Sequence, residues 1–209
     1  MRPGRGAGTP VKTLFLDIGG VLLTDGWNRD SRRRAAQAFG LDWAEMEERH
    51  GLTVDPYEAG KLSLEEYLSR VVFHQPRPFT RGQFWRFMTG ESQPLPEMTD
   101  LMRGLKARHG LKIAVVSNEA RELNAYRIRK FKLEGFVDIF ISSCFVRLRK
   151  PDMEIYRMAL DIAQTPVRQI VYIENTAMFV QIAQGMGIRS ILHTDPGLTR
   201  AQLAGLGLE

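Results

Sequence analysis

Four polar clusters each follow a short apolar run, and their residue types suit the handling of a phosphoryl group. Asp17 ends Leu14-Phe-Leu-Asp17, and Gly19-Gly20 just after it lets the backbone turn closely around a ligand. A carboxylate so placed is a candidate nucleophile. Ser117 and Asn118 close Lys112-Ile-Ala-Val-Val-Ser117 and offer a hydroxyl and an amide at the start of a helical pattern, which suits an anion. Lys150 lies in Arg147-Leu-Arg-Lys-Pro-Asp152, held by Pro151 near another helix start, and Glu174-Asn175 supplies a second carboxylate. A lone carboxylate at a strand end says little. Asp17, Ser117, Lys150 and Glu174, each after its own apolar run, make one candidate site for nucleophilic attack on a phosphorylated small molecule.

The elements that must bring them together are legible as short runs rich in β-branched and aromatic residues. These predict strands over 12–17, 112–117, 137–142, 169–174 and 189–193. Helical patterns over 96–108, 120–130, 152–162 and 177–186 lie between the later strands. The alternation predicts an α/β fold, a Rossmann-like doubly wound parallel sheet with its site at the carboxyl ends of the strands. The interval between the first two strands is far longer than an ordinary crossover. It carries helical patterns of its own over 30–39, 42–50, 63–72 and 80–88, with Ser63 and Glu66 spaced as a capping box. Residues 26–92 are therefore expected to form an inserted helical lobe over a core of 11–25 and 93–209. Residues 1–10 read as a flexible basic tail. Gly6 and Gly8 precede the first strand, which excludes a dinucleotide fingerprint.

The chain has 209 residues, 44% of them apolar and 25% charged, as expected of a globular domain with a sizeable core. No apolar run approaches the roughly 18 residues of a membrane helix, and no secretory signal is evident, so a cytoplasmic protein is expected. Cys144 is the only cysteine and sits in an apolar stretch, where it reads as packing. The net charge of +5 suits anionic substrates, but the basic residues are dispersed. Their densest group, Arg29 with Arg32-Arg33-Arg34, reads as a solvated helix face. No RNA-binding or zinc signature accompanies it, so neither nucleic acid nor membrane is an expected partner. His50, His109 and His193 have no metal spacing and read as structural, and Trp43 and Trp85 read as helix packing.

Phe15-Leu-Asp-Ile-Gly-Gly-Val-Leu22, Val116-Ser-Asn118, Lys-Pro-Asp-x-x-Ile-Tyr from Lys150 to Tyr156, and Val171-Tyr-Ile-Glu-Asn175 together resemble the haloacid dehalogenase superfamily over about residues 12–195. The resemblance is to its phosphatase-like members with a helical cap after the first core strand. It implies that Asp17 attacks phosphorus to form an aspartyl-phosphate, later hydrolysed by water. It further implies that Ser117, the backbone amide of Asn118 and Gly20 receive the phosphoryl oxygens, and that Lys150 holds Asp17. A Mg2+ ion would be held by Asp17, the Gly19 carbonyl, Glu174 and Asn175. The substrate would be a sugar phosphate or a similar small metabolite, and the protein a monomer or homodimer.

Two positions depart from the family pattern. Gly19 stands where most of these phosphatases carry a second Asp as general acid and base. Asn175 stands where a second acidic metal ligand is usual. Leaving groups that need little protonation are therefore expected, and the metal site is expected to be weakened. Asp25 and His74 are the candidate replacement acids. Downstream, Met178 and Phe179 replace the usual polar pair and are expected to pack in the core. Tyr57, Glu58 and Lys61, with Trp27 past the hinge, are candidates to touch the rest of the substrate. Two other readings remain open: a weak or inactive member that binds a phosphorylated ligand or a protein, and a metal-independent 2-haloacid dehalogenase.

Overall fold

The computed structural model describes residues 9–209, so most of the expected tail over 1–10, with Gly6 and Gly8, lies outside the described residues. Strands β1 (Thr13–Leu16), β2 (Lys112–Ser117), β3 (Ile139–Ser142), β4 (Ile170–Glu174) and β5 (Arg189–Leu192) form one parallel sheet in the order β3-β2-β1-β4-β5. The chain steps outward from β1 to β2 and β3, then returns to the other side of β1 for β4 and β5. β1 is thereby central and buried on both faces, and the strand order reverses beside it, where such sheets bind ligands. One face of the sheet is covered through Leu14, Leu16, Ile113 and Val115, and the other through Phe15, Ala114, Tyr172 and Ile155.

The long interval after β1 holds α1 (Arg29–Phe39), α2 (Trp43–Glu58), α3 (Leu64–Val71) and α4 (Arg81–Gly90). Asn28, Asp42, Ser63 and Thr80 cap them through side-chain oxygens, and Ser63 and Thr80 complete capping boxes with Glu66 and Gln83. The four helices bury a core of their own around Met46, Tyr67, Leu68, Phe84 and Met88, and Trp43 and Trp85 pack against it. Its entering and leaving chains run side by side: Thr24 donates to the Gln93 carbonyl at 2.9 Å, and Leu95 to that of Leu22 at 3.0 Å.

After α5 (Pro96–His109) and β2 come α6 (Arg121–Lys130), α7 (Ser143–Val146), α8 (Met153–Ala163), α9 (Ala177–Gly185) and α10 (Pro196–Gly205). Three points differ from the sequence reading. α2 runs on to Glu58, through Gly51 and Pro56. Pro56 has no N–H for the Leu52 carbonyl, but Leu52 is 78% exposed, so water can serve that group. α7 and α10 were not expected, although Asp195 as cap and Pro196 in the first turn mark the start of α10. Arg32 does not belong to a solvated face. It is buried and pairs in fork geometry with Glu47, at 2.9 and 2.7 Å.

The histidines hold structure, as expected. Trp27 Nε1 donates to the Tyr67 hydroxyl at 2.8 Å, and that hydroxyl lies 2.8 Å from His50 Nδ1. The tyrosine accepts from Trp27, and its own proton can go to His50 Nδ1 when that nitrogen is unprotonated. Burial, then Arg32, pulls the His50 pKa from 6.5 to about 4 against the opposing pull of Glu47. A depressed folded value gives stability that is present above pH 6.5 and is lost as pH falls toward 4. Acidification from pH 7 to 4 is expected to cost about 3 kcal/mol through this residue. Urea titrations of the protein and of His50→Gln at both pH values measure it: the variant should lose distinctly less.

Candidate active site

Leu16 is in register with Val115 on one side and Ile173 on the other, so Asp17, the next residue, is level with Glu174. The Asp17 amide donates to the Ile173 carbonyl at 3.0 Å, which carries the pairing one step past the strand. Lys150 enters between the two carboxylates. Its Nζ lies 3.1 Å from Asp17 Oδ1, 2.6 Å from Glu174 Oε2 and 3.2 Å from the Tyr172 hydroxyl, which also donates to Glu174 Oε2. Lys150 is 1% exposed and Glu174 fully buried. Burial alone would lower the lysine's pKa, but Asp17 and Glu174 together outweigh it and hold it above the ordinary value. The lysine backbone is fixed by the Asn118 side chain, which donates to the Lys150 carbonyl and accepts from its amide, both at 2.8 Å. Asn118 was expected to face an anion; its side chain instead clamps Lys150.

Ser117, in register with Ser142 at the end of β2, is buried and lies 3.4 Å from Glu119 Oε1. Glu119 and Arg127 form a buried ion pair at 2.7 Å, and Arg127 also donates to the Thr24 carbonyl at 2.6 Å. Burial pushes the Glu119 carboxyl up, Arg127 pulls it back, and nearby Asp17 adds to the rise. This pair ties the site to the segment that leads from β1 into α1, and sequence reasoning missed it. The one available signal is spacing, since residues 119 and 127 are two helical turns apart on α6 and the residues leading into it.

The turn after Asp17 is built from its own backbone. The Ile18 carbonyl accepts from Leu22 and Leu23, and the Gly20 amide donates to Leu23 at 2.7 Å. None of these bonds uses the Gly19 carbonyl. Gly20 has φ +69°, and a Cβ on it would lie 1.9 Å from Asn175 Nδ2, so any other residue would be strained and would displace Asn175. A Cβ on Gly19 would lie 3.3 Å from Asp25 Oδ1. Asp25 thus sits against the turn, where its two oxygens accept from the side-chain amides of Asn175 and Asn28, each at 3.3 Å. Of the two candidate acids, then, Asp25 reaches the site. His74 does not: it pairs with Glu45 at 3.0 Å within the helical insertion.

Asp17, Gly19, Asp25, Trp27, Asn28, Arg32, Glu58, Ser117, Asn118, Glu119, Lys150, Asn175, Thr176 and Phe179 surround one cleft of about 340 Å³. Met178 and Phe179 depart from the expected core positions. Met178 is 50% exposed, and Phe179 lies over Lys150, ring centroid 4.9 Å from Nζ, at the wall of the cleft. α9 starts at the site, so its first turn faces outward before the helix packs on the sheet. Glu58 reaches the cleft and pairs with Arg149 at 2.6 Å. Tyr57 instead stacks on Tyr67, with centroids 4.1 Å apart, and lines a smaller neighbouring cavity with Glu119 and Arg127. Lys61 is exposed on an outer groove beside Arg147 and Asp152. Trp27 lines the cleft, as expected of a residue near the substrate, and packs edge-on against Phe84 within the helical lobe.

Among the described residues, no three His, Cys, Asp or Glu side chains gather as a metal cluster. The donors at hand are instead mixed. Asp17 Oδ1 is buried without a well-aligned hydrogen bond, the Gly19 carbonyl is unused by its turn, and the Asn175 amide adjoins Gly20. Glu174 is largely engaged: Lys150 and Tyr172 take Oε2, and the Thr176 amide takes Oε1 at 2.9 Å. All these donors are oxygens. One carboxylate with neutral oxygens is a set that fits Mg2+, which keeps waters and shares its shell with substrate phosphate.

Residues 11–187 match the haloacid dehalogenase-like hydrolase family. A phosphorylated carbohydrates phosphatase of Thermotoga maritima is 26% identical over 192 residues, 87% of this chain and 84% of the relative. A sesquiterpene phosphatase of Aspergillus oryzae is 26% identical over 199 residues, 93% of this chain and 96% of the relative. In fold, the chain resembles a HAD family enzyme of Bacteroides thetaiotaomicron, solved in complex with magnesium and inorganic phosphate. The TM-score is 0.73 at 19% identity, over 88% of this chain and 94% of that one. With the family matched over most of its length, and the strand-end carboxylate, serine and lysine converging on one cleft, this chain belongs to the haloacid dehalogenase-like hydrolases.

Proposed function

We propose that this protein is a magnesium-dependent phosphatase acting on a small phosphorylated metabolite such as a sugar phosphate, with Asp17 as its nucleophile. The observation that carries the reading is the Lys150 ammonium, 3.1 Å from Asp17 and bonded to Glu174 at the ends of β1 and β4, with Ser117 on the same cleft. The phosphatase relatives support it. Ser117 and the backbone amide of Asn118 receive the phosphoryl oxygens, whereas Gly20, first expected beside them, has its amide taken by the Leu23 carbonyl at 2.7 Å and serves the turn instead. An Asp17 oxygen bonds to phosphorus as the bond to the leaving oxygen breaks. Water then attacks the aspartyl-phosphate and releases inorganic phosphate with the carboxylate restored. Lys150 holds Asp17 in place and offsets charge as it develops. Magnesium, held by Asp17, the Gly19 carbonyl and Asn175, with Glu174 beside them, would neutralise charge on the transferring group. Residues 26–92 serve as a cap whose Trp27 and Glu58 face the rest of the substrate. The single cysteine, Cys144, is buried, its thiol pushed up to about 12 chiefly by burial, so it packs and takes no part in the chemistry.

Gly19 provides no proton for the leaving group, help that is typically worth about 10²–10⁴-fold. Acetyl phosphate and anomeric sugar phosphates should therefore turn over at least about 10²-fold faster than glycerol 3-phosphate. A substrate panel, run with and without magnesium, tests this. Equal rates would place a working acid in the site, with Asp25 the candidate that reaches it. Chloride release from 2-haloacids without metal would make the protein a dehalogenase. Absence of any turnover would leave it a binding protein.

A further inference from the structure

The cleft is lined by four carboxylates, Asp17, Asp25, Glu58 and Glu119, and by two cations, Arg32 and Lys150. Most of these charges are already matched. Glu119 is paired with Arg127, Glu58 with Arg149, Arg32 with Glu47, and Asp17 shares Lys150 with Glu174. Asp25 differs: among the described residues its side chain is held by two neutral amides, Asn28 on Oδ2 and Asn175 on Oδ1. An unmatched carboxylate would repel a phosphate dianion, unless a cation comes between them. The contact with Asn175 also has a direction. An amide nitrogen facing a carboxylate is attractive and an amide oxygen there is repulsive, so Nδ2 must point to Asp25. The oxygen of Asn175 is then turned away from Asp25.

We propose that Asp25 is a positioning residue of the magnesium site: it turns the oxygen of Asn175 to the ion and supplies the negative charge that an aspartate at position 175 would have carried. The inference rests on the magnesium-dependent reading above. A carboxylate that receives a ligand's N–H fixes that ligand's orientation and makes its oxygen a better donor, and loss of such a partner costs about 10–100-fold in metal affinity. The charge missing from Asn175 thereby reappears 3.3 Å away, on the segment between β1 and α1.

Calorimetric titration of the full chain with magnesium alone, without substrate, is the test, with metal-free thermal unfolding as the folding control. Asp25→Asn should bind magnesium about tenfold more weakly with an unchanged metal-free midpoint. Asn175→Asp should tighten binding, and Asp25→Asn combined with Asn175→Asp should return to the wild-type range, because the charge is restored at the neighbouring position. Wild-type affinity in Asp25→Asn, no recovery in the double variant, or no magnesium binding by the native chain would each overturn the inference. Turnover in the same variants keeps the two readings apart. If Asp17-dependent hydrolysis survives while the titrations fail, the role of Asp25 is wrong and the phosphatase reading stands.

Discussion

Asp17→Asn should abolish turnover of acetyl phosphate, by roughly 10⁴-fold or more, while the protein stays folded. The amide matches the carboxylate in shape but is not a nucleophile. The fold should tolerate it because Lys150 keeps its shorter contact, 2.6 Å to Glu174, and because Asp17 adds to the rise that burial chiefly gives the Glu174 and Glu119 carboxyls. Removing one of three crowded carboxylates relieves repulsion while it loosens one ion pair. Steady-state rates measured beside a thermal midpoint check both halves. A midpoint within a few degrees of wild type, with turnover gone, is the expected pair of results.

Lys150→Met should have the opposite balance, with large losses of both activity and stability. Without the ammonium, Glu174 is left buried with no cation and Asp17 loses its anchor. Breaking a buried pair in this way costs about 3–5 kcal/mol, and removing a charge-stabilising group costs about 10²–10³ in kcat. Adding Glu174→Gln to Lys150→Met should recover much of the stability and none of the activity, which separates the two roles. The alkaline limb gives an independent reading. A lysine raised in the folded state contributes stability fully below its ordinary value of 10.5, and that stability is lost as pH rises through the higher folded value. Chemical denaturation from pH 9 upward should show this decline in the native protein and a shallower one in Lys150→Met.

The sheet was legible because a parallel strand buried on both faces must be an unbroken apolar run, and Leu14-Phe-Leu16 and Ile170-Val-Tyr-Ile173 are such runs. Asp17, Ser117, Lys150 and Glu174 were legible for the same reason: each is among the first polar residues after a strand or near the next helix start. Elements whose limits depend on solvent were harder to read. α2 passes Gly51 and Pro56 because the carbonyl freed by the proline is beside exposed Leu52, which no local pattern reveals. Arg32 and Glu119 look like ordinary surface charges until tertiary contacts bring Glu47 and Arg127 to them. Met178 and Phe179 have the composition of a core pair, yet the start of α9 lies at the cleft, so one faces solvent and the other covers Lys150. Asp25 shows the limit most clearly. Its place against Gly19 and Asn175 is set by the segment between β1 and α1, whose course depends on Thr24, Gln93 and Arg127 meeting across the fold.

The central claim is that Asp17 becomes covalently phosphorylated. The direct measurement is acid-quench mass spectrometry of the protein mixed with acetyl phosphate and magnesium, with peptide mapping after a few milliseconds to seconds. The expected result is one added phosphoryl group on the peptide containing Asp17, labile to borohydride reduction, decaying as phosphate appears and absent from Asp17→Asn. Hydrolysis that proceeds with no phosphorylated Asp17 at any time, or with the phosphoryl group on another residue, would contradict the account.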